Sequence, residues 1–370
     1  MTFMDSPHLA SLGWDAAWAA AFRAALDASS TRAGEQVVPA RVVAEHRERY
    51  VVATADGDAS AALAGRARHH ADTREALPAV GDWVGVSGSV GDGTAIVRFV
   101  VARRSAFVRK TAGDTVEAQV LAANVDVALI ATALPGDLNV RRLERYLTLA
   151  WDSGATPVVL LTKCDLVSDV AAAIAQAALA APGADVVAIS ALTGDGVERL
   201  GEHLVPGRTA VLLGSSGVGK STLVNRLLGI ERQRTAALTG EGKGRHTTTH
   251  RELVRLGTGA LLIDTPGMRE LQLWGTEDGL ESAFADLEVQ AERCRFRDCV
   301  HDAEPGCAVR EAVDAGLLSA DRLEHWHKLR RELAYLARKQ DEAADAEHRR
   351  RIRGLMRGLR THLRDKYGGA

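Results

Sequence analysis

The segment Gly214-Ser215-Ser216-Gly217-Val218-Gly219-Lys220-Ser221, followed by Thr222, has the spacing G-x-x-x-x-G-K-[ST]. It lies between an apolar run, Thr209 to Leu213, and a helix-forming stretch, Ser221 to Leu228. Glycines at this spacing let backbone N–H groups close around phosphates at a helix N-terminus. Lys220 can then reach the β and γ oxygens, and the Ser221 hydroxyl can ligate Mg²⁺. Thr162-Lys163-Cys164-Asp165 ends another apolar run. A carboxylate there can accept hydrogen bonds from the N1–H and the exocyclic amine of guanine. Adenine lacks that donor pair, so Asp165 would select the base through the cost of leaving a carboxylate unpaired. On its own the tetrapeptide reads equally well as a surface Lys-Asp pair. Ser190-Ala191-Leu192-Thr193-Gly194 ends the next run, where the Ala191 N–H can meet the guanine carbonyl oxygen. Asp264-Thr265-Pro266-Gly267 closes the run Leu261 to Ile263; its Asp would hold Mg²⁺ through water and the Gly267 N–H would sense a γ-phosphate. Between these lies Gly242-Lys243-Gly244-Arg245-His246-Thr247-Thr248-Thr249, from which Thr248 is the choice for a Mg²⁺ ligand when the γ-phosphate is present.

A second constellation follows. Cys294-x4-Cys299-x-His301-x5-Cys307 offers three thiolates and one imidazole, a closed tetrahedral set suited to structural Zn²⁺ with no open catalytic position. The competing reading is buried, unligated cysteines. Four cysteines in all are too few for a disulfide scaffold, and Cys164 stands apart from the other three.

Elements of different kinds must position these groups. At about 150 residues per domain, 370 residues predict two or three domains. Lys plus Arg (46) nearly balance Asp plus Glu (48), so any polyanion must be met by a local patch. No apolar run approaches a membrane span and no basic leader precedes the first apolar stretch, so the chain is expected in the cytoplasm, away from membranes. Residues 1–35 read as a helical extension in which Trp14, Trp18, Phe22 and Leu26 form a stripe along one side, expected to dock on a neighbouring element. Residues 36–115 carry short β segments at Val37 to Val43, Tyr50 to Thr54, Leu63 to Arg68, Trp83 to Ser87 and Ala95 to Val101, the pattern of a small OB-fold β-barrel. Arg103, Arg104, Phe107, Arg109 and Lys110 after its last strand are either a nucleic-acid contact or a solvated basic edge. Residues 116–275 alternate buried strands with helices, an α/β domain whose ligands belong beyond the strands' carboxyl ends. Residues 276–370 begin with a helix over about 277–292, pass through the cysteine cluster and end in an arginine-rich helical tail. Arg349, Arg350, Arg351, Arg353, Arg357, Arg360, Arg364 and Lys366 there face only Asp365.

The phosphate and guanine segments are the parts of a GTPase in an unusual order, the guanine segments preceding the phosphate loop. Joining the natural ends and reopening the chain after Asp-x-x-Gly produces this order without disturbing the site, so the domain reads as a circularly permuted P-loop GTPase. With Gly244-Arg245-His246-Thr247-Thr248-Thr249 and the cysteine spacing, the chain resembles the ribosome small-subunit-dependent GTPase A family over roughly 36–335. The resemblance implies a multidomain protein: an OB-fold barrel, a permuted GTPase domain and a mainly α zinc-binding domain. It also implies binding of GTP and GDP with Mg²⁺, one structural Zn²⁺, and association with the 30S ribosomal subunit and its 16S rRNA late in maturation, released on hydrolysis. We take it to act as a monomer. Two departures stand out. Thr162 occupies the position usually held by Asn, and the tail beyond about 340 has no counterpart; it is an extra RNA contact or a solvated helix. Met268 follows Gly267 where Ras-like enzymes carry the water-orienting Gln. Slow intrinsic hydrolysis is therefore expected, with Lys220 and Thr248 in the catalytic set and His246 either acting on the water or serving only as an rRNA or packing contact. The alternative to a hydrolytic timer is a nucleotide-sensing rRNA-binding chaperone whose hydrolysis is incidental; Asp165 argues against an ATPase or kinase.

Overall fold

The structure, a computed structural model, describes residues 6–29, 35–46, 49–63, 74–88, 94–110, 118–229, 251–264 and 277–338. Five short strands form the first unit: β1 (Val37–His46), β2 (Arg49–Thr54), β3 (Gly57–Leu63), β4 (Trp83–Ser87) and β5 (Ala95–Val100). They pair in the order β1-β2-β3-β5-β4, and β4 returns to β1, so the barrel closes around Ala40, Val42, Val52, Ala61, Val84 and Val97. Closure removes the free edges that a five-stranded sheet would otherwise expose. The third strand begins earlier than the sequence pattern predicts. Thr54 pairs with Gly57 across the tight turn Ala55-Asp56, and Gly57, at φ +121°, takes a backbone conformation that other residues rarely adopt. Residues 64–68 of the expected strand lie outside the described residues.

Before the barrel come α1 (Pro7–Ser11) and α2 (Ala16–Ala28), the latter capped by Asp15, which accepts from the Trp18 N–H at 2.7 Å. The aromatic stripe docks as expected: Trp14 and Trp18 pack on Trp83, with ring centroids 4.7 and 6.2 Å apart, and Phe22 meets Phe99. The basic segment after β5 is mostly structural. Arg103 makes a forked pair with buried Asp82 at 2.7–2.8 Å and Arg104 lies 3.9 Å over the Trp18 ring. Phe107 is buried. Of that cluster, therefore, Arg103 and Phe107 serve the fold and are not presented to a partner.

A ribbon, β6 (Ala106–Lys110) with β7 (Ala118–Ala123), leads into the second unit. There β8 (Val127–Ala133), β9 (Thr156–Thr162), β10 (Asp185–Ala188), β11 (Thr209–Leu213) and β13 (Leu261–Asp264) run parallel, and β12 (Arg251–Arg255) pairs antiparallel with β13. The strands read as continuous apolar runs because both faces are buried: Ala128, Ile130, Val159 and Val211 enter one core, Val127, Leu129, Val158 and Ala210 the other. Helices α3 (Val140–Asp152), α4 (Val170–Ala180) and α5 (Lys220–Leu228) belong to this unit. β12 also meets β1, pairing Ala44 with Glu252 and Glu45 with Arg251, so barrel and α/β sheet are hydrogen-bonded into one sheet.

The C-terminal unit holds α6 (Glu277–Ala283), α7 (Ala285–Ala291), α8 (Ala308–Asp314) and α9, helical over 320–338. The single helix expected over 277–292 is thus two. Phe284 leaves helical geometry (φ −117°, ψ 35°) and its side chain is fully buried, with its ring under the Arg322 guanidinium at 4.5 Å. The boundaries expected at 115/116 and 275/276 lie outside the described residues, as do His246, Thr248, Gly267, Met268 and the arginine-rich tail.

Candidate functional site

Parallel strands present their carboxyl ends to one side, and the segments singled out in the sequence lie on that side. Gly214 leaves β11 at φ +135°, where a Cβ would come 2.3 Å from the Ala131 carbonyl of β8; only glycine allows the loop to pass so close. The loop then turns through Ser215, exposed Ser216 and Gly217, and buried Val218 to Gly219, which starts α5 in the left-handed region. Lys220 folds back so that its Nζ donates to the Gly214 carbonyl at 2.7 Å and to the Ser215 carbonyl. Its ammonium therefore lies within the loop. Ser221 is half-buried behind it and Thr222 exposed.

The guanine-type segments are tied to this loop. Thr162, buried at the end of β9, donates its hydroxyl to the Val218 carbonyl at 2.6 Å. One oxygen suffices to bridge base segment and phosphate loop, so the absent amide of an Asn costs no link at this point. Lys163 turns the chain at φ +58°, and the Cys164 N–H reaches the Ile189 carbonyl at 3.2 Å, holding the β9 and β10 loops together. Burial, then the nearby Asp165 and Asp195 carboxylates, push the Cys164 thiol up. Asp165 is exposed, with its carboxylate free of the strand core. Ser190 is fully buried, its Oγ accepting from the Thr193 N–H at 3.1 Å. Ala191 follows, half-buried. Asp264 ends β13 beside β11, in register through Ile263 and Val211. Lys220, Asp264 and Asp165 thus come from strand ends on one edge of one sheet.

Two residues near this edge carried no local signal in the sequence. Asp137 accepts from Ser215 Oγ at 3.1 Å and from Arg142 Nη2 at 2.6 Å, anchoring the phosphate loop to α3. Arg226, on α5, donates to the carbonyls of Ala191 at 2.6 Å and Leu192 at 2.7 Å. Both pairings join residues far apart in the chain, which no spacing rule detects.

The four metal-type residues also converge. Cys294, Cys299, His301 and Cys307 place their donor atoms within 4.8 Å of one another. Cys294 Sγ and Cys307 Sγ are 4.0 Å apart and lie 3.6 and 3.5 Å from His301 Nδ1. A tetrahedral ion with bonds of about 2.3 Å to sulfur and about 2.0 Å to nitrogen sets about 3.8 Å between sulfurs and about 3.5 Å from sulfur to nitrogen. The geometry fits a metal ion. Burial lowers the His301 pKa, favouring the neutral imidazole that a metal requires, while burial and the neighbouring thiols push Cys299 up to about 12. The loop is shaped by Glu304, whose carboxylate accepts from the N–H groups of Val300, Asp302 and Ala303 at 2.9–3.1 Å.

Comparison with known proteins fits this geometry. The RsgA GTPase family model matches residues 100–274, and a model described as 50S ribosome-binding GTPase matches 209–344. A relative from Opitutus terrae, named small ribosomal subunit biogenesis GTPase RsgA, is 48% identical over 366 residues, covering 96% of this chain and 98% of that protein. The chain belongs to the RsgA GTPase family. It is a GTP hydrolase, built as an OB-fold barrel, a P-loop GTPase domain and a C-terminal unit carrying the Cys3His cluster. Among solved structures, YjeQ from Thermotoga maritima covers 81% of the chain and 99% of its own at a TM-score of 0.61 and 26% identity. The circularly permuted GTPase YloQ, 24% identical, shares the fold at a TM-score of 0.59, covering 82% of this chain and 98% of its own. Among the described residues no helix is long and apolar enough to cross a membrane.

Proposed function

We propose that this protein binds the small ribosomal subunit during its maturation in the cytoplasm and couples GTP hydrolysis to its own release. The observation that carries the reading is the join at the sheet edge: Thr162 bonded to the phosphate loop through Val218, with the loops after β9 and β10 held to each other. A site that links phosphate and base segments so directly suits a nucleoside triphosphate whose base is selected. In it the backbone of 214–219 and Lys220 hold the phosphates, Asp165 and the Ala191 N–H read guanine, and Asp264 with Ser221 would hold Mg²⁺. That ion, when bound, neutralises charge on the β and γ phosphates. The relatives' names supply the ribosomal partner, and the permuted order supplies a physical reason for coupling. In the sequence the strand ending in Asp264 is the last described element before the C-terminal unit, so the part of the site assigned to the γ-phosphate directly precedes a module available for rRNA.

The ion we assign to the Cys3His cluster is zinc, in a structural role. Three sulfurs and one imidazole fill a tetrahedral shell and leave no open position for substrate. GTP and ATP turnover measured with and without purified 30S subunits tests the whole reading. Turnover of GTP but not ATP, raised by 30S subunits, is expected. Equal turnover of both nucleotides, or no response to the subunit, refutes it, and a Lys220→Ala protein that still supports subunit maturation would transfer the role to a chaperone.

A further inference from the structure

We propose that Arg226 is a positioning residue for base recognition: reaching across from the phosphate-loop helix, it fixes the loop whose Ala191 N–H faces guanine. The inference rests on the base-site reading above. Arg226 lies six residues beyond Lys220, about 9 Å along α5. Its Nε donates to the Ala191 carbonyl at 2.6 Å and its Nη2 to the Leu192 carbonyl at 2.7 Å. A planar guanidinium holding two successive carbonyls fixes both peptide planes, and its charge strengthens both bonds. The plane before them is fixed as well, because the Gly194 N–H donates to the Ser190 carbonyl at 2.8 Å. The Ala191 N–H belongs to that first plane, so three consecutive peptides give it one orientation.

Gly194 lies beside the arginine. It sits at φ +101°, and a Cβ there would come 2.7 Å from Arg226 Nη1, so glycine leaves the guanidinium its place. The chemistry at stake is the 6-position of the purine. Guanine and hypoxanthine carry a carbonyl that accepts from Ala191; adenine carries an amine that cannot. A loop free to turn would lose that distinction first. Because the same helix begins with Lys220 and Ser221, the clamp also joins base reading to phosphate binding through one rigid element.

The test uses the full-length, metal-loaded protein and its Arg226→Ala and Arg226→Lys variants, titrated calorimetrically with GDP, IDP, ADP and tripolyphosphate. Wild type should prefer GDP and IDP to ADP; if it does not, the base-site reading itself fails. With that preference established, Arg226→Ala should weaken GDP and IDP by about tenfold while ADP and tripolyphosphate stay within about twofold. Arg226→Lys, able to reach one carbonyl, should recover part of the loss. An equal loss across all four ligands would show that Arg226 only supports the fold. Unchanged GDP affinity in Arg226→Ala would show that the loop needs no clamp. Either result overturns the proposal.

Discussion

Removing the Arg322 side chain should detach the C-terminal unit from the GTPase domain. Arg322, on α9, is almost wholly buried and makes four hydrogen bonds of 2.6–2.9 Å to three partner elements, α3, α6 and α7. Its Nη1 donates to Glu144 Oε1 of α3 at 2.6 Å, its Nε and Nη2 grip Asp286 of α7 at 2.8 and 2.7 Å, and Nη2 also reaches the Ala283 carbonyl at 2.9 Å. Glu144, at 1% side-chain exposure, has its other oxygen against His325 Nδ1. Arg322→Met therefore leaves a carboxylate inside the interface with one partner gone, a situation that costs about 3–5 kcal/mol. Against a net stability of about 5–15 kcal/mol that is a large fraction, equivalent to a melting shift on the order of 10 °C. The neighbouring pair Arg145–Glu332, also forked but with both side chains 30% exposed, is screened by water, and Arg145→Ala should cost about 1 kcal/mol or less. Calorimetric melting of both variants, together with Glu144→Gln and Glu144→Gln/Arg322→Met, decides the matter. The double variant should recover at least about 1 kcal/mol relative to the sum of the singles, since it no longer strands the buried Glu144 carboxylate and leaves only the partly exposed Asp286 without its arginine. Additive losses, or Arg322→Met no worse than Arg145→Ala, would refute the reasoning.

Thr162→Val keeps the shape of the side chain and removes its hydroxyl, leaving the Val218 carbonyl without that donor. Thermal melting should show a loss of about 1–3 kcal/mol and GDP titration a weaker affinity, whereas Thr162→Asn should retain both. Glu304 is held well below the usual carboxylate range, to about 2, first by the Val300 N–H and then by the other N–H groups of its turn. A depressed folded pKa contributes stability that is complete above the ordinary value of about 4.5 and is lost only as the pH falls through about 2. Glu304→Gln should therefore release metal to a chelator faster than wild type at about pH 7, where the wild-type carboxylate is fully ionised; equal release would show that the carboxylate does not hold the loop.

The parts of the fold legible in the sequence are those governed by local periodicity. The runs ending at Leu161, Leu213 and Ile263 read as strands because burial on both faces leaves no polar alternation, and the OB pattern announced itself through short segments separated by turns. Errors arose where one residue outweighed the pattern. A two-residue hairpin moved the third barrel strand forward to Gly57, and burial of Phe284 broke a helix that composition alone would continue. For the basic segment at 103–110 the sequence leaves a nucleic-acid contact and a solvated edge both open, because charge is visible in sequence and its partner is not: Arg103 pairs with Asp82, twenty-one positions away. Asp137, Arg226, Glu144 and Arg322 were illegible for the same reason. Their roles exist only as pairs closed by the fold.

Those pairs explain how a permuted chain can remain one machine. Ser215 of the phosphate loop bonds Asp137, which also holds Arg142 in the first turn of α3. One turn on, Glu144 and Arg145 of the same helix reach Arg322, His325 and Glu332 of α9. Helix α3 is thus tied through Asp137 to the phosphate loop at one end and meets the unit carrying the Cys3His cluster along its side. At the opposite margin, β12 pairs with β13, which ends in Asp264, and also with β1 of the barrel, where Arg251 and Glu45 meet at 2.8 Å. Each flanking unit is therefore fastened to an element that itself carries or contacts a phosphate-side residue. Cutting the chain after Asp-x-x-Gly and moving its ends would have been neutral for nucleotide binding alone. What it adds is that the strand ending in Asp264 directly precedes the C-terminal unit in the chain, alongside the noncovalent path through α3, so under the proposed function a change at the γ-phosphate has two routes to that unit.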